Sequence, residues 1–242
     1  MASAISGVGI AQGSQLNIGV DQVQQAILYL IAFILCVSVH EFGHAWLASR
    51  LGDPTPRLQG RLTLSPLHHI DPVGTLLIPF ISAISPAALP LMAWGRPVQT
   101  NPMAYTRRYK MNTGRMLVSI AGPAMNLLMA LLASIVVVIA SHAGASVRFQ
   151  AAIFNYLVQL NLVLMCFNLL PIPPLDGGAV LAWLLPRSLQ GVIDFLQRYG
   201  SFMLLLLVLS PMLGLPLLSI VMYPMAIVIG IWHAGLVWAI NL

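Results

Sequence analysis

The sequence predicts an all-α polytopic membrane protein with about five spanning helices, a re-entrant hairpin over 73–92 and a short extended segment near 94–101. Three observations carry that expectation. Of the 242 residues, 59% are apolar and only 7% are charged, and the mean hydropathy is +0.89, far outside the range of a soluble domain. The apolar residues gather into runs long enough to cross a hydrocarbon layer of ~30 Å. No long polar stretch separates them, so a single membrane-embedded domain over 1–242 is expected, with a core at about 23–185 and C-terminal helices within about 201–240.

Residues 1–22 are rich in Gly, Ser and Gln and carry no Lys or Arg, which does not suit a signal peptide. The first span is expected over 23–51, ended by Gly52-Asp53-Pro54. A loop over 52–72 follows, with Arg57, Arg61 and the run His68-His69-Ile70-Asp71-Pro72. That run suits a turn or helix cap, and a second metal site is the lesser alternative. Residues 73–92 are apolar enough to span, but Pro79, Pro86, Pro90 and the break Ser85-Pro86-Ala87-Ala88 suit a re-entrant hairpin better. The segment 94–102 reads as extended and leads to the basic run Arg107, Arg108, Lys110 and Arg115. Further spans are expected over 116–140 and 151–170, then a more polar stretch over 186–200 and two final helices over 201–218 and 219–240. His233, in the last helix, reads as a packed or interfacial histidine.

The formal charge of +5 comes from basic residues scattered through loops. They form no basic helix or aromatic-interleaved patch, so they read as topology determinants and give no sign of nucleic acid. Cys36 and Cys166 both lie in apolar runs and frame no disulfide. Cys36 is one turn before His40 and reads as a small buried hydrophobe more readily than as a ligand.

Chemistry concentrates at Val39-His40-Glu41-Phe42-Gly43-His44, where two imidazoles flank the chain's only glutamate at the end of a charge-free run. On a helix, His40 and His44 share one face about 6 Å apart along the axis, close enough to share one metal ion. Glu41 stands beside them to act on water as the catalytic base. Catalytic zinc takes three protein ligands and leaves one position open. The candidate third ligand is Asp176, in Asn168-Leu-Leu-Pro171-Ile-Pro173-Pro174-Leu175-Asp176-Gly177-Gly178, where prolines break the preceding helix and paired glycines let the backbone turn tightly. The competing reading is that Asp176 caps the next helix; a metal motif in need of a third ligand favours the metal role.

Taken together, these residues resemble the site-2 protease family of intramembrane zinc metalloproteases. His40-Glu41-Phe42-Gly43-His44 is similar to its metal motif, and Asn168 to Gly177 to its Asn-x-x-Pro-x-Pro-x-x-Asp-Gly motif. Ala121-Gly122-Pro123 with Asn126 resembles its central helix. Gly60-Arg-Leu-Thr-Leu, His69-Ile-Asp71-Pro and the stretch from Trp94 to Pro102 resemble its short bacterial subgroup, which lacks a PDZ-type or nucleotide-sensing domain. The resemblance implies one zinc ion on His40, His44 and Asp176, with Glu41 as base. It also implies transmembrane protein substrates met within the lipid bilayer. Asn126 and Asn168 are candidate donors to the oxyanion or to substrate backbone, although either could instead pair with a neighbouring helix.

Topology constrains this reading. The ends of the first span and of the span over 151–170 must meet at one depth, which requires that 73–92 does not cross. That arrangement places ten of the eleven basic residues on one side, with Arg148 alone opposite, whereas a crossing divides them seven to four. The positive-inside tendency therefore predicts an outside N-terminus and a site nearer the cytoplasm, and the resemblance implies a bacterial inner membrane. Two other functions are consistent with membrane-embedded His and Asp. One is a non-catalytic homologue that grips membrane helices; the other, a metal-ion transporter, is disfavoured by the lack of an internal repeat.

Overall fold

The computed structural model describes residues 20–80, 94–106 and 108–241, and every described regular element is helical. The expected polar N-terminal stretch, the proline break at 85–88 and most of the hairpin over 73–92 lie outside the described residues. Helix α1 is Val20–Arg50, α2 is Met111–His142 and α3 is Val147–Asn168. The short α4 is Asp176–Leu184, α5 is Gln190–Leu209, prolonged by a tight turn to Leu213, and α6 is Leu217–Ile240. Five of the six, all but α4, are long and apolar enough to cross a membrane.

Helix α1 buries Ala26, Phe33, Cys36, Val37, His40 and Gly43 at spacings of three, four and seven, while Ile27, Leu28, Ile31 and Leu35 stay exposed. A single stripe thus faces the protein and the opposite face meets lipid, where exposed Leu and Ile carry no cost. Helix α2 answers with Val118, Gly122, Asn126, Ala130, Ala133 and Val137. These residues are mostly small, which lets the helices approach closely, as membrane packing requires. A Cβ on Gly43 would lie 2.5 Å from the Ala121 carbonyl oxygen and 2.8 Å from Met125 Cγ, so a side chain there would force the two helices apart.

Contacts between α1 and α2 run in opposite directions. His44 meets Val118, His40 meets Asn126, and Cys36 meets Asn126 from the next turn. Helix α3 returns antiparallel to α2, packing Val158 and Leu162 on Ala130 and Ala133. The end of α1 and the start of α2 therefore share a level, and the connection over 51–110 begins and ends on one side. This is the arrangement that the no-crossing topology requires.

The described parts of that connection are tied down by polar groups. Asp53, 1% exposed, accepts from the Thr55 N–H at 2.9 Å and the Asn101 N–H at 2.6 Å, joining the exit of α1 to the later segment. Asp71 caps the helical turn Pro72–Leu77 through the N–H groups of Val73 and Gly74. His69 is fully buried; its Nε2–H donates to the Thr63 carbonyl at 2.9 Å, and burial holds its pKa below the ordinary histidine value. The Arg61 guanidinium donates to the His68 carbonyl. The segment after Trp94 contains no regular strand, yet the N–H groups of Trp94, Arg96 and Val98 turn inward onto the Gly74 carbonyl, the His69 carbonyl and the Glu41 carboxylate. Alternate residues facing one way are the mark of an extended chain.

One expectation is corrected. The helix expected over 201–218 begins earlier, because α5 starts at Gln190 and takes in most of the polar stretch over 186–200. Its polar residues fit a helix with one exposed face, where Gln190 Nε2 donates to Asp194 one turn later at 3.1 Å, while Ile193 and Gly200 are buried. The final helix accordingly starts at Leu217 and the turn between the two spans 210–216.

Because the connection returns to its starting side, single-cysteine labels at Leu58→Cys and Gln99→Cys are expected to react from the same face of sealed vesicles, and Ala145→Cys from the other. Opposite accessibility of positions 58 and 99 would rule the topology out.

Candidate metal centre

Three side chains from two distant parts of the chain converge between α1, α2 and α4. His40 Nε2 lies 3.0 Å from His44 Nε2. Asp176 Oδ2 lies 3.2 Å from the first and 3.4 Å from the second. Among the described residues, these form the one cluster of three His, Cys, Asp or Glu side chains close enough to share an ion. His40 is the twenty-first residue of α1, so the site lies about 15 Å before the helix end, at the depth of apolar neighbours.

The partners of these groups fix where their lone pairs point. His44 Nδ1 is 2.7 Å from the Val118 carbonyl; a carbonyl only accepts, so Nδ1 carries a proton, and in the neutral imidazole Nε2 is bare. His40 Nδ1 faces Asn126 Oδ1 at 2.5 Å. The other end of that amide, Nδ2, faces the Cys36 carbonyl at 3.1 Å. Cys36 can only accept, so Oδ1 is the atom toward His40, and His40 also carries its proton on Nδ1. Asp176 Oδ2 is buried without a hydrogen-bond partner, while Oδ1 accepts from the Ser119 hydroxyl at 2.9 Å.

With both imidazoles neutral, three lone pairs face one another, an arrangement that suits a cation. Zinc holds N and O ligands tetrahedrally at about 2.0–2.1 Å, which places the ligand atoms about 3.3–3.4 Å apart. The observed edges of 3.0, 3.2 and 3.4 Å fit that triangle. Room for an ion comes from Gly122, where a Cβ would stand 2.7 Å from His40 Nε2 and closer still to His44 Nε2. Any larger residue fills the space that the triangle faces.

A cavity of about 520 Å³ opens from the triangle, lined by Glu41, Pro97, Val98, Arg115 and Asn168 beside the three candidate ligands. Glu41 Oε2 accepts from the Val98 N–H at 2.8 Å, so the carboxylate is aimed by the extended segment. Asn168 lies in the cavity wall and donates one amide hydrogen to the Leu164 carbonyl at 2.9 Å. Asn126 is fully buried outside the cavity lining. Its Nδ2 donates to Cys36 and Asn161, which leaves no hydrogen for an oxyanion. Asp176 is the first residue of α4, and its side chain makes no capping bond; the carboxylate turns to the imidazoles instead. Cys36 is buried among apolar residues away from the triangle, and the His233 ring packs on Phe154. Ser119, the Val118 carbonyl and the Val98 N–H were not marked by sequence reasoning. Ser119, Gly122 and Asn126 do share one face of α2 by their spacing of three and four, which is the signal that could have found the first.

Comparison with known proteins joins this geometry to a family. The model of peptidase family M50 matches residues 28–152 and 138–208. The chain belongs to peptidase family M50. It is 36% identical over 203 residues to "Putative zinc metalloprotease YwhC" of Bacillus subtilis, an alignment covering 81% of this chain and 84% of that protein. It is 32% identical over 190 residues to "Putative zinc metalloprotease Rip2" of Mycobacterium tuberculosis, covering 78% and 69%. With Rip2 of Mycolicibacterium smegmatis the identity is 33% over the same shares. No solved structure gives a significant match. The matched region spans α1 to α5 and contains every residue of the triangle, together with Glu41.

Removing Asp176 by Asp176→Ala is expected to lower bound zinc in the purified protein from about one ion per chain to near zero. Gly122→Ala, which touches no ligand covalently, is expected to do the same by occupying the ion's place. Elemental analysis of both variants checks this, and full zinc occupancy in Gly122→Ala would refute the close approach.

Proposed function

We propose that the protein is an intramembrane zinc metalloendopeptidase that hydrolyses peptide bonds within or near transmembrane segments of other membrane proteins. The observation that carries this reading is the triangle of two imidazole nitrogens and a carboxylate oxygen inside a membrane-spanning bundle, opening on a cavity that Glu41 also lines. The family and the names of its relatives support the peptidase chemistry.

His40, His44 and Asp176 would hold the zinc, which when bound polarises water and the scissile carbonyl as a Lewis acid. Glu41 acts as general base: its carboxylate accepts a proton from water and then delivers it to the leaving amine. The Val98 N–H keeps that carboxylate oriented. Asn168 is the candidate donor to the oxyanion or to substrate backbone, since it alone of the two expected asparagines lines the cavity.

A substrate helix must unwind locally, because its amides are hydrogen-bonded internally. The segment after Trp94 offers a partner for the unwound strand. Its inner N–H groups are taken, and the pleat turns the polar groups of alternate residues the other way, where edge pairing can use them. Helix-breaking residues near the cleaved bond follow from the same requirement. We place the N-terminus outside a bacterial inner membrane and the site nearer the cytoplasm, on the distribution of basic residues.

Co-expression of candidate membrane substrates with the wild type and with Glu41→Gln tests this reading. Glu41→Gln is expected to lower cleavage by a factor on the order of 10²–10⁴ while zinc remains bound. Cleavage that persists unchanged would defeat the mechanism, and a wild type that binds substrates without cutting them would support a helix-gripping homologue.

A further inference from the structure

Asn161 lies in the middle of α3, fully buried, in a span otherwise suited to lipid. A polar side chain at that depth is costly unless its groups are paired, and these are. Its Nδ2 donates to the Leu157 carbonyl at 2.7 Å and to Cys36 Sγ at 3.0 Å, and its Oδ1 accepts from Asn126 Nδ2 at 2.8 Å. It touches no candidate zinc ligand itself.

We propose that Asn161 is a positioning residue of the metal centre, acting through Asn126 to fix the tautomer and ring plane of His40. This rests on the zinc-site reading above. The argument is one of hydrogen-bond polarity. The Leu157 carbonyl only accepts, so Asn161 must present its NH₂ there and its oxygen to Asn126. Asn126 must then offer its own NH₂ to that oxygen and its Oδ1 to His40. His40 answers with Nδ1–H, leaving Nε2 bare for the ion. A backbone carbonyl of α3 thereby dictates, through two amides, which nitrogen of an α1 histidine carries the proton.

The alternative orientation shows what Asn161 prevents. If the Asn126 amide turned over, its oxygen would face the oxygens of Cys36 and Asn161, and its NH₂ would face His40. The imidazole would then accept at Nδ1 and place its proton on Nε2, toward the other two ligands. Without Asn161, only the Cys36 carbonyl opposes that inversion, and one Asn126 N–H is left unpaired in a dry interior. The backbone of α3 helps to aim the side chain, because a π-helical turn over Phe154–Gln159 resets the helix face immediately before Asn161. Such turns recur near functional sites.

The test is a double-mutant cycle on purified full-length protein, read by zinc affinity from chelator competition and by the visible absorption of the cobalt-substituted site. Asn161→Leu keeps the volume without the hydrogen bonds, and Asn161→Ala is a second variant in case the first misfolds. Each is expected to weaken zinc by about tenfold, the low end of effects from groups that orient metal ligands, and to alter the cobalt bands. Asn126→Ala is expected to weaken zinc at least as much, and adding the Asn161 change to it is expected to do nothing further, since the path is already cut. Wild-type affinity and spectrum in the Asn161 variants, or effects that simply add in the double mutant, would overturn the role of Asn161. Failure of the wild type to bind zinc would instead overturn the site reading.

Discussion

The structure depends on holding two imidazoles and a carboxylate within one small triangle while surrounded by apolar helices. Nothing in a bilayer solvates such groups, so each must be aimed by protein atoms that cannot reorient. Helix α2 supplies most of that aim although it contributes no ligand. The Val118 carbonyl fixes His44, Asn126 fixes His40 and Ser119 holds Asp176. Gly122 keeps the centre open. The candidate ligands belong to α1 and α4, but the frame belongs to the helix between them, and the close approach at Gly43 brings the frame into reach.

A second constraint acts on the connection between α1 and α2. It leaves and returns on one side, and on the way it lays an extended segment over Glu41. The buried carboxylate of Asp53 and the cap at Asp71 secure its ends, so backbone that would otherwise need water finds partners within the protein. This satisfies the general rule that irregular backbone at membrane depth is tolerated only where protein or a cavity covers it.

Much of this was legible in the chain. Apolar run length gave the five spans, since hydrophobic thickness is a simple ruler. The candidate ligands His40 and His44 follow from helical periodicity, and Asp176, which the fold brings beside them, from the need for a third donor near a helix break. The boundary of α5 was misjudged because its first turns carry Gln190, Asp194 and Arg198, and polarity alone cannot separate a linker from an amphipathic helix start. Of the two roles open to Asn126, pairing with neighbouring helices is the one its contacts fit, and the sequence could not choose between them. Sequence shows that an amide is present, but not which neighbours consume its hydrogens, and only the fold brings Cys36 and Asn161 against it. Asn161 itself passed unnoticed, because a lone asparagine in an apolar run has no pattern until its partners from two other helices are known.

The triangle has a thermodynamic side. His40 and His44 meet Asp176 only in the folded chain, so a cation held by all three would bind the folded form alone. By linkage, an ion that binds only the folded form adds to its stability. An ion held there would therefore strengthen the junction of α1, α2 and α4.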